Sequence, residues 1–349
     1  MRRLVGSEMC IRDRQGPGRC VRLWSAADEQ RRPAQDPPEL QRADPQPTVL
    51  DLAQWGAGLG EELDWLEPPP KPLFQEGQQQ LKQLKLLTDQ GRITAIGQQV
   101  AAFGMHPRLG LMLIQARRWK LEALACDLAA LLSERDLPGS RDHGCDIGHR
   151  LQRLRDTARS NRHDGLGSMR QQSRQWQRQL RGIKPPEAQL AMNDPEDLAV
   201  ARLIATAFPE WLALARPGQP GAFLLRQGRG AQLPTSDPLC SAEALAIARL
   251  DLKERDARIR LAVPISRRDL EDIASEQGEW QEHVVWNDKQ QGLRAERVLR
   301  LGAIELQRQQ LPRPSAELVS HALLQHLRDN GLNPLPWTCL LYTSDAADD

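Results

Sequence analysis

The spacing of the apolar residues changes at Pro217, and this change decides what kind of fold the chain can form. Before Pro217, apolar residues recur over long stretches with the period that buries one side of an α-helix. After it they alternate, most regularly from Ala257 to Ile265, which is typical of a half-buried β-strand. The sequence therefore predicts a multidomain α+β protein with a helical first part and a β-rich second part.

The composition limits the partners and the location of the chain. Its 349 residues suit two or three domains at roughly 150 residues each. It carries 47 basic and 46 acidic residues, so a nucleic-acid surface would have to come from local clusters. No apolar run approaches the roughly 20 residues that cross a bilayer, no signal peptide is recognisable, and six scattered cysteines form no disulfide framework. We expect a cytoplasmic, monomeric protein without a membrane partner.

Helix starts are marked by local signals. Thr94 is placed as an N-cap after a short extended piece, and Pro107 suits the first turn of the next helix. Asp194-Pro195-Glu196 predicts a capped helix start with proline at its first position, and Ser266 with Asp269 predicts a capping box. Between two of these starts, the segment 108–134 is predicted to be strongly helical.

Two arginine-rich helices follow, with eleven Lys/Arg against four Asp/Glu between Arg141 and Lys184. The first helix is expected to direct Ile147, Leu151, Leu154 and Ala158 inward and Arg150, Arg155, Arg159 and Arg162 outward. The second places Leu166, Met169, Trp176 and Leu180 inward and Arg170, Arg174, Arg178 and Arg181 on another face. Such an arginine row can face a phosphate backbone and give salt-sensitive binding. Equally, it can be a solvated face or a contact with another domain.

The β-rich part offers second-rank candidates for nucleic-acid binding. Arg229 lies in a Gly-Arg-Gly turn after a strand that starts at Gly221. Arg294 and Arg297 lie on a strand, reading LRAERVLRLGAIEL, that is expected to pair across the turn at 287–292. The only nearby aromatic residues for base stacking are Trp280 and Trp286.

No catalytic or metal-binding constellation is recognisable. The sequence contains neither a GxxxxGK[ST] phosphate-binding loop nor a DEAH or DExH tetrapeptide. The acidic clusters at 61–64 and 194–197 fall at helix starts, where carboxylates are favourable without any catalytic role. His143, Cys145, His149 and His163 lack the paired spacing of a zinc site. Cys126 lies on an apolar helical stretch and is expected to be a core residue.

Three stretches carry a resemblance to one family. Residues 84–113 read LKLLTDQGRITAIGQQVAAFGMHPRLGLML, residues 123–136 read ALACDLAALLSERD, and a GRGA turn occupies 228–231. The chain resembles the region after the motor core of bacterial HrpB-type DEAH-box helicases. The resemblance implies a winged helix, a helical ratchet bundle and an OB-like β-barrel.

The resemblance also suggests a division of the chain. The expected parts are the tail of the second RecA-like motor domain and a connector (15–47), the winged helix (48–106), the ratchet domain (107–216), the OB-like module (217–312) and the start of the C-terminal region (313–337). Residues 1–14 and 338–349 resemble translated sequencing adapters, so we assign them neither fold nor function.

The family implies a partner and a cofactor for the intact parent. The parent would use ATP and Mg²⁺ to move along single-stranded RNA or DNA, and this fragment would grip the strand for the missing RecA-like motor core. By itself the fragment is expected to hold no cofactor and to hydrolyse nothing. The alternative is a non-catalytic scaffold whose arginines serve domain contacts. A winged-helix DNA regulator is disfavoured because the helix before Phe103 offers only Gln98 and Gln99 to read bases.

Overall fold

The computed structural model describes residues 21, 23–31, 38–134, 144–156, 166–183, 194–252, 256–287, 290 and 292–331. Their helices are α1 (Ala26–Arg31), α2 (Gln46–Trp55), α3 (Lys71–Gln83), α4 (Ala95–Ala101), α5 (Pro107–Ala116), α6 (Glu122–Ser133), α7 (Ile147–Asp156), α8 (Gly167–Arg181), α9 (Glu196–Ala207), α10 (Arg267–Gln277) and α11 (Ala316–Asn330). Their strands are β1 (Leu212–Ala215), β2 (Ala222–Leu225), β3 (Gly230–Gln232), β4 (Ala244–Asp251), β5 (Ala257–Ile265), β6 (Glu279–Asn287), β7 (Gly292–Leu301) and β8 (Ile304–Gln310). The mixed α+β class predicted from the sequence is confirmed.

Helices α2 to α5 form the first compact region around a shared apolar core. A single bridge between Leu87 and Ile93 supplies the short extended piece that the sequence predicts before α4. The Thr94 hydroxyl accepts a hydrogen bond from the Gly97 amide at 3.0 Å, which confirms the N-cap. Pro107 stands in the first turn of α5, where its missing amide has no intrahelical partner to lose.

The stretch 108–134 is two helices and not one. After α5 the chain makes a short 3-10 turn, and Lys120 then takes a left-handed φ of 59°. This conformation cannot continue an α-helix, so α6 starts in a new direction. The start of α9 also differs from the prediction. Pro195 takes the N-cap position without a side-chain cap, and Asp194 instead accepts a hydrogen bond from Arg202 Nε at 3.0 Å.

Helices α6 to α9 form a bundle, in which α6 packs against α8 and α9 packs against α5 and the strands β4 and β5. The expectation that Arg150 lies outside is wrong, because only 8% of this residue is exposed. Its guanidinium donates to the Gly144 carbonyl at 3.1 Å. Arg155 is partly exposed, as expected. Ala158, Arg159 and Arg162 lie outside the described residues.

Strands β1 to β5 form a closed barrel in the order β1-β2-β3-β5-β4. All neighbouring pairs are antiparallel except β3 and β5, which run parallel. Ala257 and Ile259 of β5 pack inside the barrel with Phe223 and Leu225. Further along the strand, Leu261, Val263 and Ile265 pack on the core of the helical bundle instead. The residues that alternate in the sequence are therefore all buried, but in two different cores.

Strands β6, β7 and β8 form a separate three-stranded antiparallel sheet. The segment 217–312, expected to be one β module, thus contains most of the barrel and this second sheet, joined by α10. The barrel also begins before that segment, because β1 starts at Leu212. The capping box of α10 is confirmed, with Ser266 and Asp269 bonding each other's backbone amides. Helix α11 packs against β6.

Asp237 ties the barrel to the segment before α7. Its carboxylate accepts hydrogen bonds from the amides of Cys145 at 2.8 Å and Leu239 at 3.0 Å, and the residue is only 7% exposed. The Ala262 amide donates to the Cys145 carbonyl at 2.8 Å, which extends the sheet beyond β5. The buried Cys145 thiol also donates to the Ile259 carbonyl at 3.3 Å, so two side chains and a short parallel bridge fix the segment to the barrel.

We expect Asp237→Ala to lower the free energy of unfolding by about 2–3 kcal/mol, because two buried amides lose their acceptor. Urea unfolding monitored by circular dichroism measures this loss. The exposed neighbour Ser236 supplies the control, and Ser236→Ala is expected to stay within about 0.5 kcal/mol. Equal stability of the two variants would show that the carboxylate does not hold the segment.

Among the described residues, no helix is both long enough and apolar enough to cross a membrane.

Candidate nucleic-acid interface

A cleft of about 1140 Å³ lies where the first helical region, the bundle and the barrel meet. Helices α2 and α3 contribute polar side chains, α5 and α8 contribute Arg108 and Trp176, and the barrel contributes its β2–β3 turn. Its lining includes the side chains of Asp44, Arg108, Trp176, Phe208, Glu210, Trp211 and Arg229. All three regions therefore form its walls, and a ligand that filled the cleft would contact each of them.

Two aromatic rings stack in the cleft wall. Phe208 and Trp211 lie with centroids 4.7 Å apart and planes 2° from parallel. Phe208 packs on the core of the helical bundle and Trp211 on the core of the barrel. Both are only partly buried, because they occupy the turn between α9 and β1. Helix α9 ends at Ala207, so neither ring lies on that helix.

Arg108 holds this turn to α5. Its Nη1 donates to the Ala207 carbonyl at 2.8 Å and forms an ion pair with Glu210 at 2.7 Å. Its guanidinium carbon lies 5.5 Å from the centroid of Phe208, over the ring. Arg108 is buried, so these contacts are made with little competition from water.

Asp44 adds a carboxylate to the lining of the cleft. Its carboxylate lies 3.1 Å from His106 Nε2 and accepts from the Gln46 amide at 2.9 Å. Burial is the largest influence and raises the pKa of Asp44. The hydrogen bonds from His106 and Gln46, with the charges of His106 and Arg108, outweigh it and leave that pKa lowered. Asp44 is therefore charged at neutral pH, and the cleft carries carboxylates as well as arginines.

Arg229 is the one predicted site residue that lines the cleft. It lies in the turn between β2 and β3, which Gly228 enters with a φ of 89°. The Arg226 amide donates to the Leu212 carbonyl at 2.8 Å, which joins this turn to the residue after Trp211. The turn and the aromatic pair are thus connected through the backbone.

Arg170, Arg174 and Arg178 are on α8, as predicted, but on the side away from the cleft. Gln172 and Trp176 of the same helix line the cleft. At 3.6 residues per turn, the three arginines point about 140–180° away from the mean direction of these two residues. Arg174 and Arg178 are exposed, while Arg170 donates to the Leu154 carbonyl at 3.1 Å. We call these three residues the α8 arginine row.

Arg294 and Arg297 project from opposite faces of the three-stranded sheet, since they are three residues apart on β7. Arg294 pairs with Glu296 at 2.6 Å. Arg297 donates to Gln309 at 2.7 Å and lies 4.7 Å from the centroid of Trp280. The structure therefore does not bring the two together, and each already has a partner within the sheet.

The described residues contain no group of three His, Cys, Asp or Glu side chains placed to hold a metal ion. Burial raises the pKa of Cys145 to about 12, and its hydrogen bond with Asp237 adds to this. Burial likewise raises the pKa of Cys126 to about 12. Both thiols stay protonated at neutral pH, which suits core residues. His143 and His163 lie outside the described residues.

The acidic clusters form ion pairs, and the one at 61–64 lies in turns ahead of α3 and not, as expected, at a helix start. Glu61 lies 3.2 Å from Lys71, Asp194 pairs with Arg202, and Glu196 lies 2.6 Å from Arg155. These carboxylates do not converge on a shared cavity.

Comparison with known proteins gives the family context of this interface. Residues 277–311 match the family described as ATP-dependent RNA helicase HrpB, connector region. Over 325 residues, which is 92% of the chain, the sequence is 31% identical to the ATP-dependent RNA helicase HrpB of Escherichia coli strain K12. The chain is homologous to HrpB. It corresponds to the C-terminal portion of that helicase and spans 37% of its length.

Solved structures agree. A crystal structure of the E. coli DExH-box NTPase HrpB matches with a TM-score of 0.67 and 30% identity, covering 93% of this chain and 38% of that one. A second, of the E. coli DEAH/RHA helicase HrpB, gives 0.65 and 27%, covering 94% and 38%. The probable ATP-dependent RNA helicase DHR2 of Saccharomyces cerevisiae is 32% identical over 124 residues, 36% of this chain and 17% of that protein. The connector match coincides with β6 to β8.

Proposed function

We propose that this chain is the accessory, nucleic-acid-gripping half of an ATP-dependent helicase, and that single-stranded nucleic acid lies in the cleft. The observation that carries the proposal is the meeting of three regions around one cleft lined by stacked aromatic rings and Arg229. The names of the homologues as RNA helicases support it.

The three regions fit the parts expected from the family. We take α2 to α5 with the Leu87–Ile93 bridge as a winged helix, and α6 to α9 as a helical ratchet. We take the closed five-stranded barrel as OB-like, an architecture that commonly binds oligonucleotides. In the parent, ATP and Mg²⁺ would act in the RecA-like motor, since this chain lacks a phosphate-binding loop. We also propose that the protein is cytoplasmic and monomeric.

The charges of the cleft suggest how a strand would be held. Asp44 and Glu210 offset Arg108 and His106, so the cleft is a mixed surface with one arginine turn and not a basic groove. Contacts with bases would supply part of the affinity there. The exposed Arg174 and Arg178 would supply a separate, electrostatic contact with phosphates on the far side of α8.

We expect Arg229→Ala to weaken binding of a fluorescent oligouridylate about fivefold and to lower the slope of log affinity against log salt by about one. Fluorescence anisotropy over a salt series measures both quantities. The control is Arg118→Ala, which removes an exposed arginine outside the cleft and should leave both unchanged. An unchanged slope for Arg229→Ala would remove this residue from the interface.

The second candidate function is a protein-interaction scaffold. It is favoured by Arg294 and Arg297, whose partners within the sheet are those of structural arginines. The double variant Arg174→Ala/Arg178→Ala separates the two functions for the α8 arginine row. A lower salt slope of RNA binding supports the phosphate contact, and an unchanged one removes the row from the nucleic-acid interface.

A further inference from the structure

The turn between α9 and β1 places a flat aromatic surface in the same cleft as a guanidinium. Trp211 and Arg229 both line it, and the hydrogen bond between the Arg226 amide and the Leu212 carbonyl connects the two turns that carry them. An aromatic ring can stack a nucleobase of any identity, while a guanidinium can meet its phosphate. These are the two recognition elements that a single unpaired nucleotide needs.

The stack with Phe208 fixes which ring is available. The ring centroid of Phe208 lies 4.7 Å from that of Trp211. The guanidinium carbon of Arg108 lies over the Phe208 ring, 5.5 Å from its centroid. Since Phe208 already has these two neighbours, Trp211 is the better placed ring of the pair for stacking a base. The backbone around Trp211 is held by Arg108 through Ala207 and Glu210, so the indole is oriented before any ligand arrives.

We infer that Trp211 and Arg229 form a subsite for one unpaired nucleobase and its phosphate, with Phe208 backing the indole and Arg108 positioning the pair. The inference rests on the proposed function and deepens it, because it names the contact by which the cleft recognises a base. The subsite should accept any base, since every base has a flat face that can stack on Trp211 and Arg229 contacts the phosphate and not a base edge.

A purely structural role for the stack predicts a different behaviour. Phe208 packs on the bundle core and Trp211 on the barrel core, so the rings also join two regions. Loss of such a joint would weaken binding of every ligand equally, whether or not the ligand carried bases. Loss of a base subsite would weaken the binding of only those ligands that carry bases.

The experiment compares an oligouridylate of about 12 nucleotides, within the roughly 4–16 that one OB-fold covers, with an abasic ribose-phosphate strand of equal length. For the unaltered chain we expect the oligouridylate to bind about tenfold more tightly, as stacking of one base provides. Trp211→Leu should reduce this ratio to near one, and Trp211→Phe should retain much of it. Trp55→Leu, which removes a 77% exposed indole from outside the cleft, should leave the ratio unchanged.

Each outcome bears on one claim. A folded Trp211→Leu protein that keeps the ratio, or that loses affinity for both strands equally, overturns the subsite. Equal binding of both strands by the unaltered chain overturns the subsite and leaves the proposed function standing. No binding of either strand overturns the proposed function itself. If Trp211→Leu does not fold, Trp211→Met gives the same test, because its longer and flexible apolar chain adapts to the space that the indole leaves.

Discussion

Replacing Arg108 with methionine is expected to lower the free energy of unfolding by about 3 kcal/mol. The substitution removes the donor to the Ala207 carbonyl and leaves Glu210 without its ion-pair partner. The Glu210 side chain is 29% exposed, so water recovers part of its solvation. The expected loss therefore lies at the lower end of the range for broken buried pairs. Urea unfolding followed by tryptophan fluorescence measures it.

The matched control is Arg118→Met, because Arg118 is an exposed arginine just after the same helix. We expect that variant to change stability by no more than about 0.5 kcal/mol. A double-mutant cycle with Glu210→Gln then isolates the ion pair, and the combined loss should fall short of the sum by about 1 kcal/mol or more. Additive losses would mean that Arg108 stabilises the turn through Ala207 and Phe208 alone.

The features that sequence predicted well are those decided within a few residues. The Thr94 cap, the Pro107 helix start and the Ser266–Asp269 capping box each depend on one side chain and the amides beside it. The alternation from 257 to 265 correctly marks a strand and buried side chains, but it does not show that these side chains belong to two different cores. The strand order of the barrel depends on pairing between distant segments, which no local pattern specifies.

The candidate site was predicted only in part. Arg229 was found through its glycine turn, but the cleft around it is built from residues far apart in the sequence. The sequence alone could have shown that Arg294 and Arg297 do not share a face, since an odd spacing on a strand puts side chains on opposite faces. Arg150 could not, because its burial depends on a carbonyl in a preceding turn. The stacking of Phe208 on Trp211 could not be predicted either, because it arises only where α9 ends.

The position of the Arg229 turn depends on a second turn, between β7 and β8. Gly302 lies in it with a φ of 61°, and the next amide, of Ala303, donates to the Arg226 carbonyl at 2.8 Å. A Cβ atom on Gly302 would stand 2.3 Å from that carbonyl oxygen. Since the oxygen belongs to the backbone of the barrel turn, it cannot move away as the end of a flexible side chain could.

We expect Gly302→Ala to lower the free energy of unfolding by about 3 kcal/mol. About 1–2 kcal/mol comes from the left-handed backbone, and the rest from the displaced carbonyl and its hydrogen bond. Because the displacement reaches the turn that carries Arg229, the same variant should also bind oligouridylate several-fold more weakly. Urea unfolding and fluorescence anisotropy measure the two effects on one preparation.

Gly58 makes the control a close match, because its φ is 59° and nothing lies within 4 Å of an added Cβ. Gly58→Ala therefore bears the backbone cost alone, and we expect a loss of about 1–2 kcal/mol without any change in RNA binding. The difference between the two variants measures the contact between the connector sheet, β6 to β8, and the barrel. If the two variants lose equal stability, the added Cβ atom of residue 302 does not displace the Arg226 carbonyl. The connector sheet then does not determine the position of Arg229.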